Sequence, residues 1–199
     1  MTGTGSVGAI VLAAGNGARM GTPKVRMKAG GVYFIERITD AVAAAGVTDL
    51  ICILRPADTD WIADTFPNLP VAVNPSPESG MLSSVQVGLA HFAGKQKVIL
   101  IPVDHPLVAP ATYELLLHKS ALRPEAVIIP SLNRQAGHPI VIPRNLFARI
   151  LRADKGLRLK DVLHGTGSEI CYTACRDIGI LGNLNSPADA ARFNTAVER

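Results

Sequence analysis

The sequence predicts an α/β protein in which a mostly parallel sheet is covered by helices on both faces. Apolar runs of strand length alternate with segments whose apolar residues recur at helical spacing, which is the pattern of strand–helix–strand units. Hydrophobic residues make up 48% of the 199 residues and charged residues only 18%, so the chain can bury a substantial core. The length is typical of one domain, and we expect residues 1–199 to form a single domain.

The predicted elements follow from these runs in order. Strands are predicted at 8–12, 49–54, 71–74, 97–103, 126–130, 139–143 and 169–174. Helices are predicted at 33–45, 60–66, 83–92, 109–120, 144–153 and 157–164, with a short final helix at 188–197. Pro110 and Pro187 stand where the first turn of a helix tolerates proline. The segments 75–80 and 132–138, rich in Pro, Ser, Asn and Gly, are predicted to be the mobile loops.

The charge and the cysteine content argue against a nucleic-acid-binding protein and against a fold held by disulfides or zinc. The net charge of +4 is spread along the chain and aromatic residues are only 5%, which argues against a nucleic-acid-binding surface and suits an anionic small molecule. Cys52, Cys171 and Cys175 are too few and too scattered for a disulfide framework or a zinc site, so we interpret them as apolar filler. No signal peptide or membrane span is predicted, and we expect a cytoplasmic protein.

A glycine-rich loop follows the first predicted strand and indicates a phosphate site. Small residues let backbone N–H groups approach an anion, and an arginine and a lysine supply positive charge. The loop lacks the Gly-Lys-Ser/Thr of a Walker A motif and the third glycine of a dinucleotide fingerprint, so an NADP site would depend on Arg55 alone. The nucleotide-binding residues predicted here are Leu12, Ala13, Ala14, Gly15, Gly17, Arg19 and Lys24.

Further polar residues follow the other predicted strands, where open parallel sheets bind ligands. Asp104 ends an apolar run and is placed to hold Mg²⁺ against a triphosphate, although a turn aspartate would look the same. A place in the pocket stays open for the neighbouring His105, but a histidine beside a proline more often faces solvent, so we predict an exposed residue without a catalytic role. We expect one serine after Asn74 to cap a helix and the other to bind a base or ribose; the residues concerned are Gly80, Ser83 and Ser84.

A second polar group lies further along the chain. His138 follows a loop that contains Asn133, Arg134 and Gln135, and this loop is a candidate cradle for an anionic acceptor. We therefore predict that His138 and Arg134 bind the acceptor. A last polar segment precedes the final predicted helix, with Ser186 as a candidate N-cap.

These segments together resemble the nucleotidyltransferases of molybdenum cofactor biosynthesis, the MobA-like NTP transferase family, and most closely its cytidylyltransferases. The shared motifs are LAAGxGxRMGxxK at 12–24, NPxxxxGMxSSVxxGL at 74–89, DxPLV at 104–108, GHP at 137–139 and DxGxR at 154–158. The resemblance implies a Rossmann-like three-layer sandwich of the glycosyltransferase-A type. It also implies Mg²⁺-dependent transfer of a nucleotidyl group.

The resemblance assigns roles to particular residues. It implies that Arg19 and Lys24 contact the triphosphate and that Asp104 holds the metal, so these three are the expected catalytic residues. Asn185 stands where the family often has an aspartate, and it is the candidate for a second metal contact. Ala14 gives the loop the LAAG form that is typical of CTP-using members, whereas LAGG is typical of GTP-using members.

The expected reaction is transfer of CMP from CTP to the phosphate of molybdopterin, with release of pyrophosphate. Three alternatives stay open at this point: GTP as the donor, a sugar or alditol phosphate as the acceptor, and a non-catalytic protein that binds or delivers the cofactor. The expected protein partner is a molybdoenzyme or its chaperone. The chain departs from the family pattern in its basic segment 25–28, in His105, and in Asn183 and Asn185.

Overall fold

A computed structural model of the chain describes residues 7–15, 22–154, 156–165, 167–184, 189, 193 and 197–198. Its strands are β1 Val7–Leu12, β2 Lys28–Ala29, β3 Val32–Tyr33, β4 Leu50–Leu54, β5 Val71–Val73, β6 Lys97–Pro102, β7 Val127–Leu132, β8 Gln135–Ala136, β9 Ile140–Pro143, β10 Ile170–Ala174 and β11 Val197–Glu198. Its α-helices are α1 Phe34–Ala44, α2 Thr59–Thr65, α3 Met81–His91, α4 Pro110–Leu122, α5 Phe147–Arg152 and α6 Leu159–His164. Short 3₁₀ turns occur at Lys24–Arg26, Pro56–Asp58, Pro77–Ser79, Arg144–Leu146 and Ile178–Leu181.

The main sheet is mostly parallel, as the sequence predicts. Within the described residues it has eight strands, in the order β10-β7-β9-β6-β1-β4-β5 with β8 paired to β7. Only β9 and β8 run antiparallel to their neighbours in this sheet as described. Leu12 at the end of β1 pairs with Ile53 on one side and Pro102 on the other, so these three strands end level with one another.

Two hydrophobic cores lie on the two faces of the sheet because successive strand residues point to opposite sides. Val11 packs with helices α1 and α4, and Ile10 packs with α3, α5 and α6. On α3, a Cβ at Gly88 would come within 2.6 Å of the Ile10 side chain, so glycine lets this helix pack closely against β1. The expected three-layer architecture is thus present.

The structure differs from the sequence prediction at the chain's short and terminal elements. Most of the predicted final helix lies outside the described residues, together with Ser186 and Pro187, and its last residue, Val197, is in β11 instead. This strand pairs with β2, and β2 pairs with β3, in a small second sheet that we did not predict. The predicted helix 144–153 divides into a 3₁₀ turn and α5.

The predicted loop 132–138 contains a tight β-hairpin. Asn133 and Arg134 connect β7 to β8 with positive φ angles of 49° and 66°. Two consecutive residues of this conformation match the twist of a two-residue hairpin turn, and asparagine tolerates it well. Arg134 is exposed at the tip of the hairpin.

Candidate active site

The carboxyl ends of four neighbouring strands converge at one edge of the sheet, as predicted. The chain remains hydrogen-bonded to its neighbours just beyond the strands: Ala13 N–H donates to Ile53 O over 2.9 Å, and Val103 N–H donates to Leu12 O over 3.1 Å. Asn74 N–H likewise donates to a β4 carbonyl over 2.8 Å. The start of the glycine-rich loop, Asn74 and Asp104 therefore share this edge.

Lys24 and Asp104 form an ion pair at the centre of this edge, although 80 residues separate them. Lys24 lies in the 3₁₀ turn that follows the glycine-rich loop, and its ammonium contacts Oδ2 of Asp104. Only 14% of the Asp104 side chain is exposed. Burial raises the pKa of this carboxyl, but hydrogen bonding and electrostatic attraction from His105 and Lys24 outweigh burial and hold it well below its usual range. Asp104 is therefore ionised at neutral pH.

Two histidines pack beside Asp104. His105 is buried, and its Nδ1 lies 3.0 Å from Asp104 Oδ1. The His138 ring meets the His105 ring edge-to-face, with the centroids 4.9 Å apart. Burial lowers the pKa of His138 to about 4, which His105 lowers further and Asp104 partly offsets, so His138 is neutral at pH 7. The prediction that His105 faces solvent is wrong, because its ring is buried between Asp104 and His138.

The GHP motif places His138 by backbone contacts. His138 N–H donates to Ile180 O over 3.0 Å, and a Cβ at Gly137 would lie only 2.3 Å from the same oxygen. Gly137 is therefore needed for the close approach of these two segments. Of the two predicted acceptor residues, the structure brings His138 against His105, the neighbour of Asp104, and leaves Arg134 at the hairpin tip.

Asn74 organises the start of helix α3. Its Nδ2 donates to Ser83 Oγ over 2.7 Å and to Ser84 Oγ over 2.9 Å, and its Oδ1 accepts from Ser76 N–H over 3.0 Å. The side chains of Asn74, Ser83 and Ser84 are all buried. The prediction that one serine caps this helix is wrong, because the helix begins at Met81 and neither serine is its N-cap.

Gly80 occupies the N-cap position of α3 and shows why the motif has glycine there. Its φ of 88° and ψ of −179° fall in a region that is essentially restricted to glycine. Open space surrounds the position, since a Cβ would find no atom within 4 Å. The backbone conformation, rather than a lack of room, therefore requires glycine.

The basic segment after Lys24 is explained by a buried carboxylate. Asp58 is fully buried and accepts hydrogen bonds from Arg26 Nη2 over 2.8 Å and from Arg55 Nε over 2.5 Å. The Arg26 guanidinium also lies over the Trp61 ring, 5.4 Å from its centroid. Arg55, on which the NADP alternative depended, is thus paired with Asp58. This cluster joins the Lys24 turn to the end of β4.

Replacing Asp58 with alanine should lower the free energy of unfolding by about 2–3 kcal/mol. Removing one partner of a fully buried ion pair costs about 3–5 kcal/mol, and here the cost is smaller because both arginines reach solvent. Chemical denaturation measures the change. Asp60→Ala, at an exposed aspartate two residues away, is the matched control. Equal stability of the two variants would contradict a structural role for the cluster.

Asp177 is a positioning residue that the sequence analysis missed. Its Oδ2 accepts from Ala109 N–H over 2.9 Å and from Thr112 Oγ1 over 2.7 Å at the start of α4, and its Oδ1 accepts from Gly179 N–H over 2.8 Å. Nearby, Leu184 N–H donates to the Asp104 carbonyl over 2.8 Å. The chain between 177 and 184 is thereby fastened to the loop that carries Asp104.

The other predicted site residues have simpler positions. Leu12, Ala13 and Ala14 are buried at the end of β1, and Gly15 is exposed beyond them. Gly17, Arg19 and Asn185 lie outside the described residues, so their predicted roles stay predictions. Asp154, Gly156 and Arg158 of the DxGxR motif are exposed after α5, and Arg158 pairs with Asp161.

Comparison with known families decides the class of protein. The family described as "MobA-like NTP transferase domain" matches residues 9–170, which include Lys24, Asn74, Asp104, His105 and His138 but not the 177–184 segment. The chain belongs to the MobA-like NTP transferase family. It is accordingly a nucleotidyltransferase, and the family expected from the motifs is confirmed.

Two named relatives and one solved structure are similar to this chain. A molybdenum cofactor guanylyltransferase of Rhizobium rhizogenes is 25% identical over 211 residues, covering 95% of this chain and 93% of that protein. Another, from Sinorhizobium fredii, is 28% identical over 109 residues, covering 52% of this chain and 48% of that protein, so the match spans about half of that relative. The crystal structure of Rv0371c from Mycobacterium tuberculosis has a TM-score of 0.78 and 25% identity, covering 97% and 98% of the two chains.

The similarity of architecture confirms the Rossmann-like α/β fold class expected for this MobA-like NTP transferase. Of the helices that the structure describes, none combines the length and apolar character needed to cross a membrane. Across the same described residues, no three His, Cys, Asp or Glu side chains form a cluster suited to a metal ion.

Proposed function

We propose that this MobA-like NTP transferase transfers the CMP group of CTP to the phosphate of molybdopterin or its metal-loaded form, with Mg²⁺ as cofactor and pyrophosphate as the second product. The observation that carries the proposal is the Lys24–Asp104 pair, in which Asp104 follows β6 and lies at the same sheet edge as Ala13, which follows β1. A cation and a carboxylate side by side provide one group for phosphate oxygens and one for a metal.

The residues present suit Mg²⁺ held together with a substrate. Magnesium prefers oxygen ligands, and proteins bind it through one or two carboxylates while phosphates and water complete its shell. Asp104 is ionised and largely buried at the sheet edge, which meets this requirement without a cluster of protein ligands. When bound, the ion would neutralise charge on the phosphate oxygens. Asn185 is proposed as a further oxygen ligand.

The chemical step needs positioning and charge more than covalent participation by side chains. An oxygen of the acceptor phosphate attacks the α-phosphorus of CTP, and a new P–O bond forms. The bond between the α-phosphorus and its bridging oxygen breaks, and the electron pair leaves with pyrophosphate. The attacking phosphate is already ionised, so no general base is required. Lys24 and Arg19 are proposed to stabilise the charge on the phosphates.

The strand order suggests how the two substrates share the edge. The glycine-rich loop and Asn74 follow β1 and β5, on one side of Asp104, whereas His138 and the β7–β8 hairpin lie on the β9–β7 side. We therefore assign the first side to CTP and the second to the acceptor. His138 would contact the acceptor near its phosphate, and Arg134 would reach it from the hairpin tip.

GTP is the second candidate donor because both guanylyltransferase relatives carry that activity in their names. The proposal of CTP depends on Ala14, which gives the loop the LAAG form. Ala14 is buried, with 4% of its surface exposed, so its methyl group occupies space at the end of β1 that glycine would leave open. A smaller space favours a pyrimidine over a purine.

Replacing Ala14 with glycine should move the donor preference toward GTP. We expect the ratio of kcat/KM for CTP to that for GTP to fall about tenfold or more, since one methyl group in a pocket is worth about 10–200-fold in selectivity. Ala13→Gly is the matched control, because Ala13 is equally small and buried but does not distinguish the two forms of the loop. An unchanged ratio in Ala14→Gly would remove this argument for CTP.

The experiment that tests the proposed function is pyrophosphate release in the presence of Mg²⁺. CTP, GTP and ATP are compared, each with molybdopterin, with its molybdenum-loaded form, with a sugar phosphate, and with no acceptor. Release from CTP that requires molybdopterin supports the proposal. Release only with the sugar phosphate would mean that the acceptor is a sugar phosphate and not molybdopterin. Tight cofactor binding without release from any nucleotide would favour a binding or delivery protein.

A further inference from the structure

His105 lies between the two sides of the proposed site. It is buried, with 6% of its surface exposed, and it contacts Asp104 through Nδ1 and His138 through its ring. The two histidine-bearing loops are each held by backbone hydrogen bonds, from His105 N–H to Pro102 O over 3.1 Å and from His138 N–H to Ile180 O over 3.0 Å. The contact between them is therefore built into the fold rather than made by two mobile side chains.

The contact with Asp104 decides which ring nitrogen of His105 carries hydrogen. The carboxylate that receives the Lys24 ammonium on Oδ2 is an acceptor of hydrogen bonds, so the 3.0 Å contact at Oδ1 places an N–H at Nδ1. That hydrogen bond fixes the orientation of the carboxylate from the Oδ1 side, while Lys24 contacts Oδ2. The carboxylate plane is thus held by one donor on each oxygen.

We propose that His105 is a positioning residue that holds Asp104, through the Nδ1–H···Oδ1 hydrogen bond, in the orientation needed to share a divalent cation with the nucleotide. The inference rests on the proposed nucleotidyl transfer and adds to it a residue that touches neither the nucleotide nor the acceptor phosphate. The family resemblance gives no role to His105, at which the chain departs from the family pattern. Partners of metal-binding carboxylates and histidines change metal affinity or activity by about 10–100-fold when removed.

Two substitutions separate this role from simple packing. His105→Ala removes the ring and both nitrogens. His105→Asn places an amide N–H near the position of Nδ1. We expect kcat for pyrophosphate release to fall about 10–100-fold in His105→Ala, with the KM for CTP changed by less than about threefold. His105→Asn should recover most of the lost kcat.

Two measurements do not depend on turnover. Long-range ¹H–¹⁵N spectra should show hydrogen on Nδ1 of His105 in the wild-type protein and on Nε2 in Asp104→Ala, because the hydrogen bond at one nitrogen sets the tautomer. Titration with Mn²⁺ alone, followed by electron paramagnetic resonance at pH 8, should show about tenfold or more weaker binding in His105→Ala and recovery in His105→Asn.

The outcomes distinguish this inference from the proposed function. A wild-type spectrum with hydrogen on Nε2 overturns the inference whatever the activity. So does a normal kcat in His105→Ala, or an equal loss in His105→Asn and His105→Ala. If the wild-type protein releases no pyrophosphate with any nucleotide or acceptor, the proposed function fails, and the spectrum and the Mn²⁺ titration then decide: unchanged or tighter Mn²⁺ binding in His105→Ala also overturns the positioning role.

Discussion

Asp104→Asn should reduce the turnover of nucleotidyl transfer by about a hundred- to a thousandfold while the protein remains folded. The change keeps the size of the side chain but removes the negative charge that would hold Mg²⁺ beside the phosphates. Loss of one electrostatic contact to a transition state of this kind costs about 2–4 kcal/mol. Pyrophosphate release under saturating CTP and acceptor measures turnover, and circular dichroism establishes that the fold is retained.

A second aspartate–lysine pair provides the control for this variant. Asp49 pairs with Lys95, and Asp49 immediately precedes β4, at the opposite edge of the sheet from Asp104. Asp49→Asn therefore removes the same charge from a similar ion pair away from the proposed site, and it should retain wild-type turnover. Wild-type turnover in Asp104→Asn, or an equal loss in both variants, would contradict the role given to Asp104.

The parts of the fold that the sequence predicts are those with a strong local signal. Buried strands such as β1 are continuous apolar runs, and the helices between them bury one face, so periodicity identifies them. The convergence of Asp104, Asn74 and the glycine-rich loop also follows, because parallel strands carry their carboxyl ends to one edge.

The unpredicted features depend on partners far away in the chain. Strands β2 and β11 have two residues each, too few for a period-two pattern, and they pair across more than 160 residues. Asp177 binds the start of α4 across 65 and 68 residues, and Asp58 binds Arg26 across 32. N-cap preferences depend only on neighbouring residues in the sequence. They therefore do not indicate that Asn74 binds both Ser83 and Ser84 of α3.

His105 and His138 are two site residues whose positions also depend on partners far away in the chain. A histidine followed by proline is locally a turn residue, and that reading suits both His105 and His138. Their burial arises because β9 inserts antiparallel next to β6 and brings the GHP motif against the loop that follows β6. The position of an antiparallel strand within a mostly parallel sheet has no local signature in the sequence.

Lys24→Met should have two effects of opposite sign. Turnover should fall about a hundred- to a thousandfold, because the ammonium proposed to stabilise charge on the phosphates is lost. Binding of Mn²⁺ to the protein without nucleotide should instead become about tenfold tighter or more. In the described structure the Lys24 ammonium contacts Asp104 Oδ2, an oxygen that a divalent cation would also use, and removing a like charge from this position favours the cation.

The opposite effects on turnover and on Mn²⁺ affinity distinguish a catalytic role of Lys24 from a role that is only structural. If Lys24 served only as a structural partner of Asp104, its loss would lower the melting temperature, and turnover would follow the folded fraction. Lys95→Met, which breaks the corresponding pair with Asp49, is the matched control and should change neither turnover nor Mn²⁺ affinity. Unchanged Mn²⁺ affinity in Lys24→Met would mean that Asp104 does not receive the metal. Reduced turnover together with tighter Mn²⁺ binding requires that Lys24 leave Asp104 for the phosphates when substrate and cation arrive.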